Sequence, residues 1–318
     1  MSIPAFFPYR SEAIRDAYFA YYDSLTAKQW PLRSQERMIP TSYGQTFVRI
    51  SGPAGAPPLV LLPGAVGTSL LWAPNVGALS EDFRTIAVDQ IGDIGRTTCT
   101  RPVSHVNDLL GWLDELFDAL APGNPINIVG VSYGGWLALQ YAQHAPQRVR
   151  AIIPLAPGGA VLRLSARFML SLALAALATR WFFRPVFGWI FADAARKDPA
   201  WLNQLIEHML VNMRSLAPRT LPMPSLWTDA EWQSLSVPTL FLVGEHEVIY
   251  SPGKALRRLK RAAPQVTAEL IPGAGHDLSF AQAELVNRRI IQFLKQHSAA
   301  TVAREAGCGW NSLHWRFQ

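Results

Sequence analysis

At 318 residues, 49% of them apolar, the chain has enough length for one large domain with an insertion and enough apolar mass for a sizeable core. Its formal charge of +6 comes from scattered basic residues, apart from Arg257, Arg258, Lys260 and Arg261, whose spacing suits the exposed face of one helix and excludes a nucleic-acid surface from the reading. Two distant cysteines, Cys99 and Cys308, exclude a disulfide framework or a cysteine metal site and fit a cytoplasmic protein.

No basic start followed by an apolar run opens the chain, so no signal peptide is expected. Residues 12–28 predict a helix with tyrosines and Phe19 on one side. It stops at Trp30-Pro31, because the residue before a proline avoids the helical region. This helical segment takes up residues 1–35. Two strands follow at 36–40 and 46–51, with Tyr43-Gly44 in the turn between them. Then come six short apolar runs at 59–62, 85–88, 126–131, 151–155, 239–243 and 268–271, which read as strands buried on both faces, as in a parallel sheet. Helical patterns separate them. Leu109, Leu110, Leu113, Leu116, Phe117 and Leu120 mark one helical face, and residues 134–144 and 281–296 read as two further helices. Strand–helix alternation of this kind means an α/β fold with a mostly parallel, doubly wound sheet.

The alternation breaks over residues 161–226, which are helical in pattern and rich in tryptophan, methionine and alanine. They read as a helical cap inserted between two parts of the core, 36–160 and 227–297. Residues 168–178 and 181–191 are almost wholly apolar, but Arg180 and Arg184 interrupt them. A spanning helix needs ~20 mostly apolar residues, so an apolar lid is expected and a transmembrane span is not. Residues 298–318 do not continue the pattern and read as a loose tail, an interaction segment or a vector-derived remnant.

Gly130-Val131-Ser132-Tyr133-Gly134 is a G-x-S-x-G pentapeptide placed between an apolar strand and a helix, the context of a nucleophile elbow. The tight turn strains the serine backbone, and the serine comes to lie at a helix N-terminus, where the dipole favours developing negative charge. Serine needs a base to act as a nucleophile. Of seven histidines, His276 alone lies just after the last strand and before the last helix, at the carboxyl end of the sheet, where open α/β folds bind ligands; the other six read as surface or helix histidines. An acid must hold the base's tautomer. Both Glu245 and Glu247 follow the strand at 239–243, and either gives the order Ser, acid, His. Glutamate is longer than aspartate by ~1.5 Å and fills the role from a backbone set farther back. The oxyanion needs two preorganised donors; the amides of Ala65, after the strand at 59–62, and Tyr133 are the candidates, and Pro63 lacks an N–H.

Three weaker patterns are set aside. Ser251-Pro252-Gly253-Lys254 matches S-x-x-K, but Pro-Gly inside it reads as a turn. Glu245-His246-Glu247 lacks a second histidine at helical spacing, so no metal is expected. Asp89 lies where dehydrogenases keep a ribose-binding acid, but the glycine fingerprint is absent, and a loop-bracing role is expected instead.

Together these motifs resemble the α/β-hydrolase superfamily, and more closely the bacterial carboxylesterases of the carboxylesterase NP type. The matching stretches are Trp30-Pro31, PPLVLLPGA at 57–65, VDQIGD at 88–93, VGVSYGG at 129–135, GEHEVIY at 244–250 and AGH at 274–276. The resemblance covers roughly residues 24–295. It implies that Glu247 is the acid and Glu245 a neighbour, with no cofactor, and carboxylic-ester hydrolysis in which bulky aryl-bearing esters are the substrate class. One departure is Pro63-Gly64 where relatives carry His-Gly, which bears on the shape of the oxyanion loop.

The expected chemistry is acyl transfer by Ser132, with His276 as base, Glu247 as its partner, and activity that rises with pH as His276 loses its proton. Val66, Trp181, Phe182, Trp189 and Met209 are candidates for an apolar substrate pocket, within a cap that collectively favours hydrophobic esters. The partner expected is a small-molecule ester, with no nucleic acid, and a homodimer is left open. The fold also hosts C–C bond hydrolases, perhydrolases and non-catalytic receptors. A cap ringed by Arg163, Arg167, Arg180 and Arg184 would also suit docking on lipid.

Overall fold

The computed structural model describes residues 8–175, 180–217 and 221–308. Nine strands form one sheet: β1 (Gln35–Thr41), β2 (Gly44–Ser51), β3 (Pro58–Leu62), β4 (Arg84–Val88), β5 (Thr98–Cys99), β6 (Ile126–Val131), β7 (Val149–Leu155), β8 (Leu240–Gly244) and β9 (Thr267–Ile271). The order is β1-β2-β4-β3-β6-β7-β8-β9, with the short β5 pairing against β2. β1, β2 and β5 run antiparallel to their partners, while pairing from β4 through β9 is parallel.

The apolar runs follow from this topology. Along β3, Leu59 and Leu61 face one core cluster while Val60 and Leu62 face the other, and β8 alternates in the same way through Leu240, Phe241, Leu242 and Val243. A strand covered by helices on both sides has no solvent face to make polar. β9 departs from the expectation of burial on both faces. It is the edge strand, only Ile271 is buried and Leu270 is 41% exposed, because among the described residues nothing pairs beyond it.

The helices are α1 (Glu12–Gln29), α2 (Ala73–Asp82), α3 (Val106–Leu120), α4 (Tyr133–His144), α5 (Ala166–Ala175), α6 (Arg180–Ile190), α7 (Ala192–Lys197), α8 (Pro199–Ser215), α9 (Asp229–Ser234), α10 (Pro252–Ala262), α11 (Leu278–Ala281) and α12 (Ala283–Cys308). α3 buries all six residues of its expected face together with Trp112. α3, α4, α9 and α10 cover one side of the sheet; α2, α11 and α12 cover the other. α12 runs past residue 296, where the helical pattern was expected to end, and residues 309–318 lie outside the described residues.

Helices α5–α8 lie between β7 and β8 and build a cluster of their own around Phe183, Phe187, Ile190, Ile206, Met209 and Leu210. Among the described residues no helix is long and apolar enough to cross a membrane. Arg258 corrects the reading of a wholly exposed basic face. Its side chain is only 15% exposed, pairs with Asp229 at 2.8 Å, and donates to the carbonyls of Val161 at 2.6 Å and Trp227 at 2.5 Å. One guanidinium thus pins together the chain leaving the core for the cap and the chain returning from it. A fork of fixed donors does this better than a lysine could.

Candidate active site

Ser132 caps the N-terminus of α4 with φ 53° and ψ −110°. The elbow is possible only because its neighbours lack side chains. A β-carbon on Gly130 would stand 2.1 Å from the Gly134 carbonyl oxygen, and one on Gly134 would stand 2.4 Å from that of Leu62. Hydrogen bonds hold the turn on both sides: the Ser132 N–H donates to Leu155 at 2.9 Å, and the Ser132 carbonyl accepts from Trp136 and Gly158, both at 3.0 Å.

Among the described residues, the non-glycine positions with positive φ are Val66, Ser132 and Ala156. They follow the carboxyl ends of three neighbouring parallel strands, β3, β6 and β7. Each such residue costs ~1–3 kcal/mol, and strain of this kind gathers at working sites. The backbone therefore marks the same place as the motif, independently of it.

At the next two strand ends, His276 and Glu247 meet. Glu247 lies beyond β8 and His276 beyond β9, and the His276 Nδ1 is 2.9 Å from Glu247 Oε2, with the carboxylate side chain fully buried and the imidazole 10% exposed. Glu247 Oε1 accepts from the Val248 N–H at 2.7 Å and the Ile249 N–H at 2.9 Å, so both carboxylate oxygens are engaged. Glu245 points elsewhere: it is 48% exposed and accepts from the Gly273 N–H at 3.0 Å. Burial alone would lower the His276 pKa, but the charge of Glu247, its hydrogen bond and the nearby Asp277 outweigh that, so the pKa is raised above the ordinary imidazole value. No hydrogen bond joins Ser132 to His276 in this structure, and such contacts often tighten only when substrate binds.

Asp277, which sequence reasoning missed, steadies the loop carrying His276. It is fully buried and accepts from the Gly275 N–H at 3.0 Å and from the Ala194 N–H of cap helix α7 at 2.6 Å. Burial pushes its carboxyl pKa up. Asp89 braces loops as expected, accepting from the Ser69 and Arg96 amides, each at 2.8 Å. Among the described residues, no group of three or more histidine, cysteine or acidic side chains is placed to hold a metal ion.

Ala65 sits in a turn beside the elbow; a β-carbon on its neighbour Gly64 would lie 3.5 Å from the Ser132 Cβ. Tyr133 is the first residue of α4, at the end where the helix dipole is positive, and its hydroxyl donates to the Pro222 carbonyl at 2.8 Å. The five substrate-pocket candidates scatter. Val66 belongs to the strained turn, with its side chain against a cluster containing Tyr9, Tyr22 and Leu70. Met209 is buried in the cap's cluster, and Trp189 packs on that cluster with the Arg167 guanidinium 4.4 Å from its ring centre. Trp181 is 88% exposed and Phe182 41%.

A family model described as the alpha/beta hydrolase family matches residues 59–289. The chain is 35% identical over 278 residues to the uncharacterized carboxylesterase nap of Bacillus subtilis (strain 168), a match spanning 87% of this chain and 91% of that one. It is 33% identical over 282 residues to carboxylesterase YbfK of the same organism, with 87% and 93% covered. The crystal structure of naproxen esterase (carboxylesterase NP) from Bacillus subtilis matches with a TM-score of 0.81 at 33% identity, covering 90% of this chain and 99% of that one. With the parallel sheet and the strand–serine–helix elbow, these likenesses establish that the chain belongs to the α/β-hydrolase family, beside the bacterial carboxylesterases of the carboxylesterase NP type.

Proposed function

We propose that the protein is a serine carboxylesterase that hydrolyses hydrophobic esters, bulky or aryl-bearing ones included, through an acyl-enzyme on Ser132. The observation that carries this reading is the buried Glu247–His276 pair, set at the end of the sheet where Ser132 sits on its strained elbow. In the first half-reaction His276 Nε2 takes the Ser132 proton as Oγ attacks the ester carbonyl. Glu247, bound at Nδ1, fixes that tautomer and stabilises the imidazolium. The amides of Ala65 and Tyr133 donate to the oxyanion, and His276 then protonates the leaving alcohol. Water enters in its place and is activated by the same imidazole, which frees the acid. The relatives named carboxylesterases support this reaction type, and a naproxen esterase among the similar structures supports an aryl-bearing acid. The apolar cap is consistent with both.

Two results are expected. A fluorophosphonate probe labels the wild type, peptide mapping places the label on Ser132, and the same preparation turns over nitrophenyl esters. A folded protein that took no label and hydrolysed no ester would end the proposal. Second, kcat/KM rises with pH, because the base must be neutral. With the His276 pKa raised, the midpoint of the acid limb lies above the reference value of ~6.5. Activity that stays flat between acidic and neutral pH, with chemistry shown to limit the rate, would argue against His276 as the base.

A further inference from the structure

The turn that carries Ala65 is held from the core and from the cap at once. Gly67 N–H donates to the Gly64 carbonyl at 3.0 Å. Because the Gly64 carbonyl and the Ala65 N–H belong to one planar trans peptide and point in opposite directions, this bond aims the Ala65 N–H outward, away from the turn. The next N–H, that of Val66, donates to Asp93 Oδ2 at 2.9 Å. The next carbonyl, also of Val66, accepts from Asn212 Nδ2 of cap helix α8 at 2.9 Å. Three consecutive peptides are therefore each fixed by a different partner.

Val66 needs this hold. Its φ is 61°, a region that β-branched residues rarely occupy. Released, it would relax by rotating one of its flanking peptides, and the Gly67–Gly64 bond that aims Ala65 would go with it. Packing of the Val66 side chain on the cluster of Tyr9, Tyr22 and Leu70 holds the turn on the core side. The hydrogen bond from Asn212 fixes its carbonyl from the cap side. Asn212 is completely buried, and its Oδ1 has no partner, a cost that makes sense only if the Nδ2 side is well used. One helical turn earlier, His208 Nε2 lies 3.4 Å from Asn212 Nδ2. Burial pushes the His208 pKa down to about 4, so the ring is neutral and its nitrogen can accept. That acceptor and the Val66 carbonyl both call for the amide's NH2, which sets its orientation.

We infer that Asn212 is a positioning residue for the oxyanion hole: through the Val66 carbonyl, the cap helix holds the turn that presents the Ala65 N–H, so the hole is complete only while α8 is docked. This rests on the reading of Ser132 as nucleophile and Ala65 as oxyanion donor. Loss of a donor outright costs about 100–1,000-fold in kcat, and misalignment through a lost support is expected to cost about 10–100-fold.

The test uses the full chain and compares wild type with Asn212→Leu, which keeps volume and removes the donor, and with Asn212→Ser, in case the first variant does not fold. Thermal unfolding is recorded for each. Expected is a fall in kcat of about 10–100-fold with KM for an aryl ester changed less than threefold, and a rise in Ki for an aryl trifluoromethyl ketone by the same factor as kcat/KM falls. Adding Val66→Gly to either variant should recover part of the kcat, because glycine adopts this φ without strain. A folded variant with wild-type kcat and Ki, or with only KM raised, would overturn the inference. Loss of the underlying reading looks different: the wild type itself would then bind no trifluoromethyl ketone and hydrolyse no ester.

Discussion

Replacing Ser132 with alanine is expected to lower kcat for aryl esters by about 10⁶-fold while leaving thermal stability within about 0.5 kcal/mol of wild type. On the proposed mechanism, without Oγ no acyl-enzyme can form, and neither His276 nor the oxyanion donors have an attacking atom to assist. The backbone conformation at this position is imposed by the Gly130–Gly134 close approach and by backbone hydrogen bonds to the Leu155 carbonyl and from the Gly158 N–H, none of which involves the hydroxyl. Alanine therefore inherits the same strained φ of 53° and the same fold. Initial rates against a nitrophenyl ester, with fluorophosphonate labelling and a melting curve on the same samples, check this. A Ser132→Ala protein that kept more than a hundredth of wild-type activity, after exclusion of contaminating esterases, would mean another nucleophile.

Glu247→Gln carries the second large expected effect, about 10⁴-fold in kcat. Glu247 accepts from two backbone amides at Oε1 and faces Nδ1 of His276 at Oε2. A glutamine has one oxygen and one NH2. If the oxygen stays with the Val248 and Ile249 amides, the NH2 is left facing Nδ1 and donates to it. That forces the proton onto Nε2, the nitrogen that must accept from Ser132. Geometry is preserved while the tautomer is wrong. The same substitution removes the charge that contributes most to lifting the His276 pKa, leaving only the smaller influence of Asp277 against the burial that lowers it. The little activity that remains should thus have its acid limb at lower pH than wild type, and a pH–rate profile reads this directly. Glu245→Gln is the control. Its carboxylate is half-exposed and bound to the Gly273 amide, so the effect should be under tenfold. Equal losses in the two variants would contradict Glu247 as the partner of His276.

The competition between these glutamates shows where sequence reasoning stops. Both follow β8, two positions apart, in a loop without regular period, so alternation cannot say which turns inward. The resemblance pointed to Glu247; the physical reason for its placement is that the Val248 and Ile249 amides capture one of its oxygens and leave the other for His276. Arg258 was misread for a related reason. Its spacing on α10 is that of a solvated face, but Asp229 and the carbonyls of Val161 and Trp227 come from distant parts of the chain to meet it. Asn212 carries no mark in the sequence and His208 reads there only as a surface or helix histidine, yet both are buried on α8, because a polar residue in a helix reads as surface until something packs against it.

What the sequence by itself determined is local. The apolar runs give strands buried on both faces, the i, i+3, i+4 pattern gives α3, and two glycines around a serine give an elbow that no other residues could form. Each depends on residues within a few positions of one another, so each is written in the chain. What only the tertiary structure decided is which side chains meet across long separations: Glu247 with His276 over 29 positions, Asp93 with the Val66 amide over 27, and Asn212 with the Val66 carbonyl over 146. Those contacts follow from strand order, from an edge strand with no further neighbour, and from a cap that returns to the strand ends. They are properties of the packed sheet, and no periodicity along the chain encodes them.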